Sequence, residues 1–410
     1  VKNIPSHIIV FTLITLFDTF TQKPKFFLKI FLSIFIIKSY LSYMKLLNDF
    51  YLIKDNIKHN IMEFKKVYDK PKICAIVKAD AYGHGIEGTV NSIKGIVDFF
   101  GVADSLEAIK VRAVTSKPIL VLSMVDATAL KDCVMGNISL SVSQLKYLRQ
   151  IEDIAKKLGV NAKIHLKINS GMNRLGFCSK KSFLRAVEYI NKSNFLVLEG
   201  IYTHFFDSLN QTILERQYNK FNQYLSLIST QYIIIHAGAS NASITSPKYH
   251  FDMVRLGLLM YGYSEKQDSL TSGQKIFNLL PALKVTARIV NIVNVKKGNY
   301  VGYGRNYIAT HNMKIACVSM GYADGFLRTN SNRGRVIING KFASIVGSIC
   351  MDLFMVNISD IKCKVGDEVV VLGKDGNLEI NSNEIAQNAN TIPYEILTNF
   401  KRDRMNYHIV

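Results

Sequence analysis

Ile73-Cys74-Ala75-Ile76-Val77-Lys78-Ala79-Asp80-Ala81-Tyr82-Gly83-His84-Gly85 begins as an apolar run, stops at a lysine and ends in small residues and glycines. A short, continuous apolar run bounded by turn residues is the pattern of a strand buried on both faces, as in a parallel sheet. Working outward, seven more such runs follow, at residues 99–102, 119–122, 138–142, 164–168, 197–202, 232–235 and 253–260. The stretches between them have helical spacing. Leu145, Leu148, Ile151 and Ile154 recur at three-residue intervals within 143–158, with Gly159 placed to end that helix, and Leu184, Val187 and Ile190 repeat the theme within 182–190. Strands alternating with helices imply parallel βαβ units. Eight of them predict an α/β fold with a TIM-type (β/α)8 barrel across residues 44–280. A doubly wound sheet is the alternative that periodicity alone leaves open.

Beyond about residue 280 the helical spacing fades. Short β-prone runs take over at 285–295, 315–319, 335–346, 354–358 and 368–372. Asn339-Gly340, between two apolar runs, signals a two-residue hairpin because both positions tolerate positive φ. Residues 281–410 are therefore expected to form a C-terminal all-β domain.

Composition narrows the class. The 410 residues are 48% hydrophobic and 20% charged, which suits a folded chain with a large core. The net charge of +20 comes from scattered lysines without a basic run or nucleic-acid motif, so no nucleic-acid partner is expected. Six cysteines without a CxxC pair point away from a metal site and toward a reducing cytoplasm. Residues 1–43 differ in kind, rich in Phe, Ile, Leu and Lys. Their apolar segments fall short of the ~18 residues of a spanning helix, so membrane association is not expected. The first reading is that Met44 is the native start and 1–43 are not native sequence; a membrane anchor and a disordered extension are the alternatives.

In a barrel the reactive groups gather where strands end. Lys78 ends the first run, Asn169 to Arg174 follow the fifth, His204 the sixth and His236 to Ser240 the seventh, while Arg255 and Gly257 lie in the eighth. A lone lysine at a strand end is ordinarily just solvated. One held at a barrel mouth can condense with an aldehyde to form a Schiff base.

The string from Ala75 to Gly85 resembles the cofactor-attachment signature of alanine racemases. Further blocks match that family in order: Lys167 to Gly176, Thr203-His204-Phe205, Phe251 to Gly257, Val301-Gly302-Tyr303-Gly304, Gly321 to Gly325 and Cys350-Met351-Asp352. The resemblance runs from about Met44 to the tail. It implies a barrel followed by a β domain and a homodimer in which each active site is completed by the partner's β domain. It also implies pyridoxal 5'-phosphate as cofactor, no metal, and interconversion of L- and D-alanine, with D-alanine supplied for peptidoglycan.

By this resemblance Lys78 holds the cofactor and is one base, and Tyr303 from the partner is the other. Arg255 faces the pyridine nitrogen and His204 orients Arg255. Tyr82, Ser240, Gly257, Leu258 and Tyr394 cradle the phosphate. Arg174, Met351 and Tyr322 serve the substrate, the last by narrowing the entrance. Lys167 matches a lysine that is carbamylated in some members. Two departures stand out. The order Ala239-Ser240-Asn241 leaves Asn241 as a substitute for Ser240, and Arg402 to Tyr407 replaces the usual Arg-Val-Pro segment, so the final strand is open to a different pairing. The rival readings are a racemase for serine or several amino acids and a cofactor-binding homeostasis protein without turnover. A decarboxylase of the same fold is disfavoured, lacking its Gly-rich phosphate stretch and Cys-Asp loop.

Overall fold

The computed structural model of the chain describes residues 46–264 and 277–410; the readings for residues 1–43 lie outside them. The first strand, β1 (Asp49–Leu52), leads into a helix, Lys54–Val67, whose Ile57, Ile61 and Phe64 form one buried stripe. Asn60 on the same face donates to the carbonyls of Met260 and Leu280 and accepts from Leu280 N, which ties this helix to the chain just after the last barrel strand and just before the second sheet.

Eight parallel strands then close on themselves: β2 (Lys72–Ile76), β3 (Phe99–Val102), β4 (Ile119–Val121), β5 (Ser139–Val142), β6 (Ala162–Lys167), β7 (Leu196–Tyr202), β8 (Ile234–Ala239) and β9 (Met253–Leu256). Closure comes from β9 pairing with β2, with Cys74 opposite Arg255. The doubly wound alternative is thereby excluded. Helices lie between the strands; the one at Leu145–Leu158 ends at Gly159 in the left-handed conformation (φ 67°), as its spacing predicted.

Two runs are placed differently from expectation. The seventh strand starts at Ile234, because Tyr232 is exposed and left-handed (φ 65°), a conformation no strand interior uses. The eighth stops at Leu256, after which Leu258–Tyr261 coil into a 3-10 turn. An apolar run says that a segment is buried and does not say where extended backbone gives way to a turn.

The second unit is a sheet of β10 (Leu283–Val295), β11 (Met313–Val318), β12 (Arg335–Ile338), β13 (Lys341–Ser344), β14 (Phe354–Asn357), β15 (Glu368–Asp375), β16 (Leu378–Ile380) and β17 (Asn406–Ile409), together with β1. The Asn339-Gly340 hairpin forms as expected, with φ of 49° and 73° and Ile338 opposite Lys341. β1, which the sequence reading grouped with the barrel, belongs to this sheet. It runs antiparallel to β10 and parallel to β17. Four residues carry no period long enough to reveal which sheet they join. The atypical tail thus has a partner: β17 lies beside β1, and Tyr407 reaches back to donate to the carbonyl of His84, just beyond Lys78. One apolar core runs through both units, whereas Val301, Ala309, Met313, Ile315 and Val346 form a separate small cluster.

Candidate active site

The residues after β2 do not enter an ordinary helix. Ala79, Asp80, Ala81 and Tyr82 all have φ between 51° and 58°, a left-handed turn before Gly83. Such a turn costs roughly 1–2 kcal/mol per non-glycine residue. It is held by Ala81 N donating to Val77 O, Gly85 N to Asp80 O, Ala79 N to the Glu107 carboxylate, and an Arg402–Asp80 ion pair. Strain kept in place by surrounding bonds is a mark of functional backbone. It aims Lys78 into a cavity of about 680 Å³ at the C-terminal rim of the barrel, whose lining also includes Tyr82, Lys167, Arg174, His204, Ser240, Arg255, Gly257, Leu258 and Tyr394. These residues come from many separate segments of chain.

The cavity is strongly cationic, with Lys78, Lys167, Arg174 and Arg255 against a single lining acid, Asp207, which is already accepting from Leu209 N and Asn210 N. Burial lowers the pKa of Lys78, and the charges of Arg174 and Arg255 push it further the same way. Burial and the same arginines bring Lys167 down to about 8. Both amines are thereby moved toward the range where a proton can be taken up and released.

Arg255 is buried and held from several sides. It donates to His236 Nδ1 at 2.7 Å and to the carbonyls of Thr203 and Ala237, both at 2.8 Å. His204, the residue assigned by the sequence reading to orient it, lies 3.4 Å away. The shorter imidazole contact is therefore His236, whose Cα lies in β8, one strand from Arg255. The available signal was its position at the seventh strand end. Burial, then the charge of Arg255, keep His204 neutral down to about 3 and His236 well below its ordinary value. Tyr202, which sequence reasoning passed over, stacks on His236 with ring centroids 4.7 Å apart and lies beneath both Lys167 and Arg255.

Ser240 Oγ accepts from Gly257 N at 3.0 Å and from Leu259 N at 3.3 Å, so two backbone donors converge beside Tyr82. Gly257 lets the Tyr82 hydroxyl come close, since a Cβ there would sit 2.6 Å from it. Ser240 and its alternative Asn241 both line the cavity, and Leu259 N is a donor that the sequence did not single out. Arg174 projects from a loop built on Asn169, whose Oδ1 accepts from Gly171 N and Asn173 N.

Tyr303, Tyr322 and Met351 do not line this cavity. They are 72%, 42% and 55% exposed on the β domain. Hydrogen bonds join them into one patch. Ser348 donates to Tyr303 O, Tyr322 N to Cys350 O and Ala323 N to Met351 O. Arg404 bridges Asp324 and Asp352 beside it.

Comparison with known proteins agrees with this architecture. Residues 53–265 match the family model described as alanine racemase, N-terminal domain, and residues 282–408 that of alanine racemase, C-terminal domain. The alanine racemase of Methanococcus maripaludis is 37% identical over 350 residues, covering 83% of this chain and 93% of its own. The solved alanine racemase of Clostridium difficile 630 superposes with a TM-score of 0.82 at 33% identity, covering 89% of this chain and 97% of its own. That of Bacillus anthracis, with bound L-Ala-P, gives a TM-score of 0.82 at 28% identity, covering 90% and 96%. With both of its domains matched, in order and over nearly their whole length, the chain belongs to the alanine racemase family.

Proposed function

We propose that the chain interconverts L- and D-alanine with Lys78 and Tyr303 as its two bases, Tyr303 being contributed by a second copy in a homodimer. The family depends on pyridoxal phosphate, which when bound supplies an aldehyde for the amino group and withdraws electrons from the α-carbon. The cavity fits it: its cationic side chains suit an anionic cofactor, the hydroxyl-bearing Tyr82, Ser240 and Tyr394 line it, and Gly257 leaves the space that a side chain would fill. Tyr82, Ser240, Gly257, Leu258 and Tyr394 would hold the phosphate, and Lys78 the aldehyde carbon.

The observation that carries the proposal is the division of the site. One cavity gathers Lys78, Arg174 and Arg255, while Tyr303, Tyr322 and Met351 are displayed together on a surface outside it. Racemisation takes a proton from one face of the α-carbon and returns one to the other, so it needs a base on each side. The depressed pKa of Lys78 suits it to one side. A phenol brought in by a second molecule suits the other. Arg174 and the Met351 backbone N–H would take the substrate carboxylate, and Tyr322 would restrict the entrance to a small side chain. Arg255 is permanently protonated and has no acceptor to offer a ring nitrogen.

Lys167, at about 8, is partly neutral at mildly alkaline pH. The neutral amine is the form that adds carbon dioxide with loss of a proton, and the resulting carbamate would set a negative charge beside Arg174. Cytoplasmic operation is proposed on the six unpaired cysteines. Among the described residues no helix is long and apolar enough to cross a membrane.

The test is direct. Purified protein loaded with cofactor should absorb in the visible, and borohydride should bleach the band and leave the cofactor on the peptide containing Lys78. Chiral analysis should show D-alanine formed from L-alanine. A colourless protein that refuses cofactor and leaves alanine unchanged would overturn the proposal.

A further inference from the structure

A line of hydrogen bonds leaves the active site through the barrel interior. Arg255 donates to His236 Nδ1 at 2.7 Å, His236 Nε2 lies 2.9 Å from His165 Nδ1, and His165 Nε2 lies 3.0 Å from Glu199 Oε2. His165, His236 and Arg255 are buried. Glu199 sits in the middle of β7, where Ser139, the first residue of β5, donates to it and Lys163, near the start of β6, lies 3.4 Å away. The line therefore runs from the rim toward the opposite, N-terminal end of the barrel.

Its direction is fixed by chemistry. A guanidinium only donates, so His236 Nδ1 must accept and the proton of this neutral ring must be on Nε2. That N–H points at His165 Nδ1, which must also accept, leaving the His165 proton on Nε2 to be donated to a carboxylate, which only accepts. Every donor in the chain has one acceptor. Burial pushes the Glu199 carboxyl up, but the hydrogen bonds from His165 and Ser139 and the charge of Lys163 act the other way and favour the ionised acceptor that the line needs. The backbone is shaped for the arrangement: a Cβ at residue 200 would lie 2.2 Å from His165 Nδ1, so Gly200 is what allows the imidazole to cross between strands.

We propose that Glu199 is a positioning residue for racemisation, acting through His165 and His236 to hold the Arg255 guanidinium in one orientation at the cofactor cavity. Without a terminal acceptor, the His165 proton is free to move to Nδ1. His236 must then carry its own proton on Nδ1, where it opposes the Arg255 donor. The inference rests on the proposed placement of Arg255 against the cofactor.

The experiment compares wild type, Glu199→Ala, His165→Leu and Arg255→Gln. In cofactor-free protein labelled with ¹⁵N-histidine, His165 and His236 should both be neutral with the proton on Nε2, and Glu199→Ala should abolish that pattern. In loaded enzyme, Glu199→Ala should lower kcat on the order of tenfold, equally from L- and D-alanine, with KM little changed, and should shift the visible band. His165→Leu breaks the same line one step nearer to Arg255 and should have the same effects, so it decides the matter if Glu199→Ala does not fold. A wild-type kcat and band in either folded variant overturns the relay. If Arg255→Gln also leaves rate and band untouched, the placement of Arg255 fails; if Arg255→Gln is disabling and Glu199→Ala is not, the relay alone fails.

Discussion

Arg255 is buried and fixed by four contacts, to His236, Thr203, Ala237 and His204, while Tyr303 stands 72% exposed on a loop that rests on its own small apolar cluster. Both are proposed to serve one reaction, yet they are built by opposite means. The barrel half is preorganised within the chain. Its charges are taken out of water and their orientation is dictated by strand register and a strained turn. The β-domain half is a displayed patch, rigid in its own hydrogen bonds but with no cavity to close. In the proposed two-fold dimer, the patch would gain its chemistry by being covered by the other copy's barrel rim.

The sharpest way to break this comparison is to disable each half separately. Lys78→Ala and Tyr303→Phe should each lower racemisation by about 10³-fold or more. Tyr303→Phe should keep its visible band and lose rate unequally from the two enantiomers, whereas Lys78→Ala should lose the band. If each site draws one base from each copy, mixing the two inactive proteins and letting subunits exchange should restore activity. Half of the random dimers are mixed and each has one intact site of two, so recovery should approach about a quarter of wild type. No recovery, with exchange confirmed by mass, would place both bases in one chain.

Acid should find the barrel half first. His84 and His236 are buried and His204 is half-buried, and desolvation lowers the pKa of each, His84 to about 4 and His204 to about 3. Groups depressed in the folded state contribute stability that is fully present above their unfolded value of 6.5 and lost as pH falls toward the folded value. His84, spanning 6.5 to about 4, accounts for about 3 kcal/mol of that loss by pH 4. Its Nδ1 is bonded to the carbonyls of Ala81 and Tyr82 inside the left-handed turn, and its Nε2 has no partner among the described residues. Melting temperatures measured from pH 7 to 4 should fall steadily in the wild type and less steeply in His84→Gln. An unchanged slope would assign the acid loss to other groups.

How much of this could be read beforehand follows from what each residue's signal depends on. The barrel was legible because eight apolar runs repeat a period that burial enforces, and the hairpin because Asn339-Gly340 is a local conformational demand. Lys78, Arg174 and Arg255 were legible at strand ends. His236 was visible as a position, yet its precedence over His204 as the partner of Arg255 depends on the Arg255 rotamer, which sequence does not encode locally. The same holds for Leu259 N beside Ser240. The membership of β1 in the second sheet depends on pairing with β10 and β17, over two hundred residues away. Long-range pairing leaves no mark on four residues.

The smallest effect separates the stability of the β domain from its use as a platform. Gly340 has φ 73°, and a Cβ there would meet nothing within 4 Å, so Gly340→Ala introduces backbone strain and no clash. That should cost about 1 kcal/mol, read as a shift in the denaturant midpoint. The hairpin it closes joins the sheet through Ile337 and Val370, whereas the Tyr303 patch is held by Ser348, Cys350 and Met351. If the patch is a rigid surface whose geometry is set by its own bonds, the variant should racemise at the wild-type rate. It should also rescue Lys78→Ala in subunit exchange as well as an unaltered β domain does. A lower kcat, or weaker rescue, would mean that hairpin strain reaches Tyr303. The β-domain half of the site would then depend on the whole sheet, as the barrel half depends on its register.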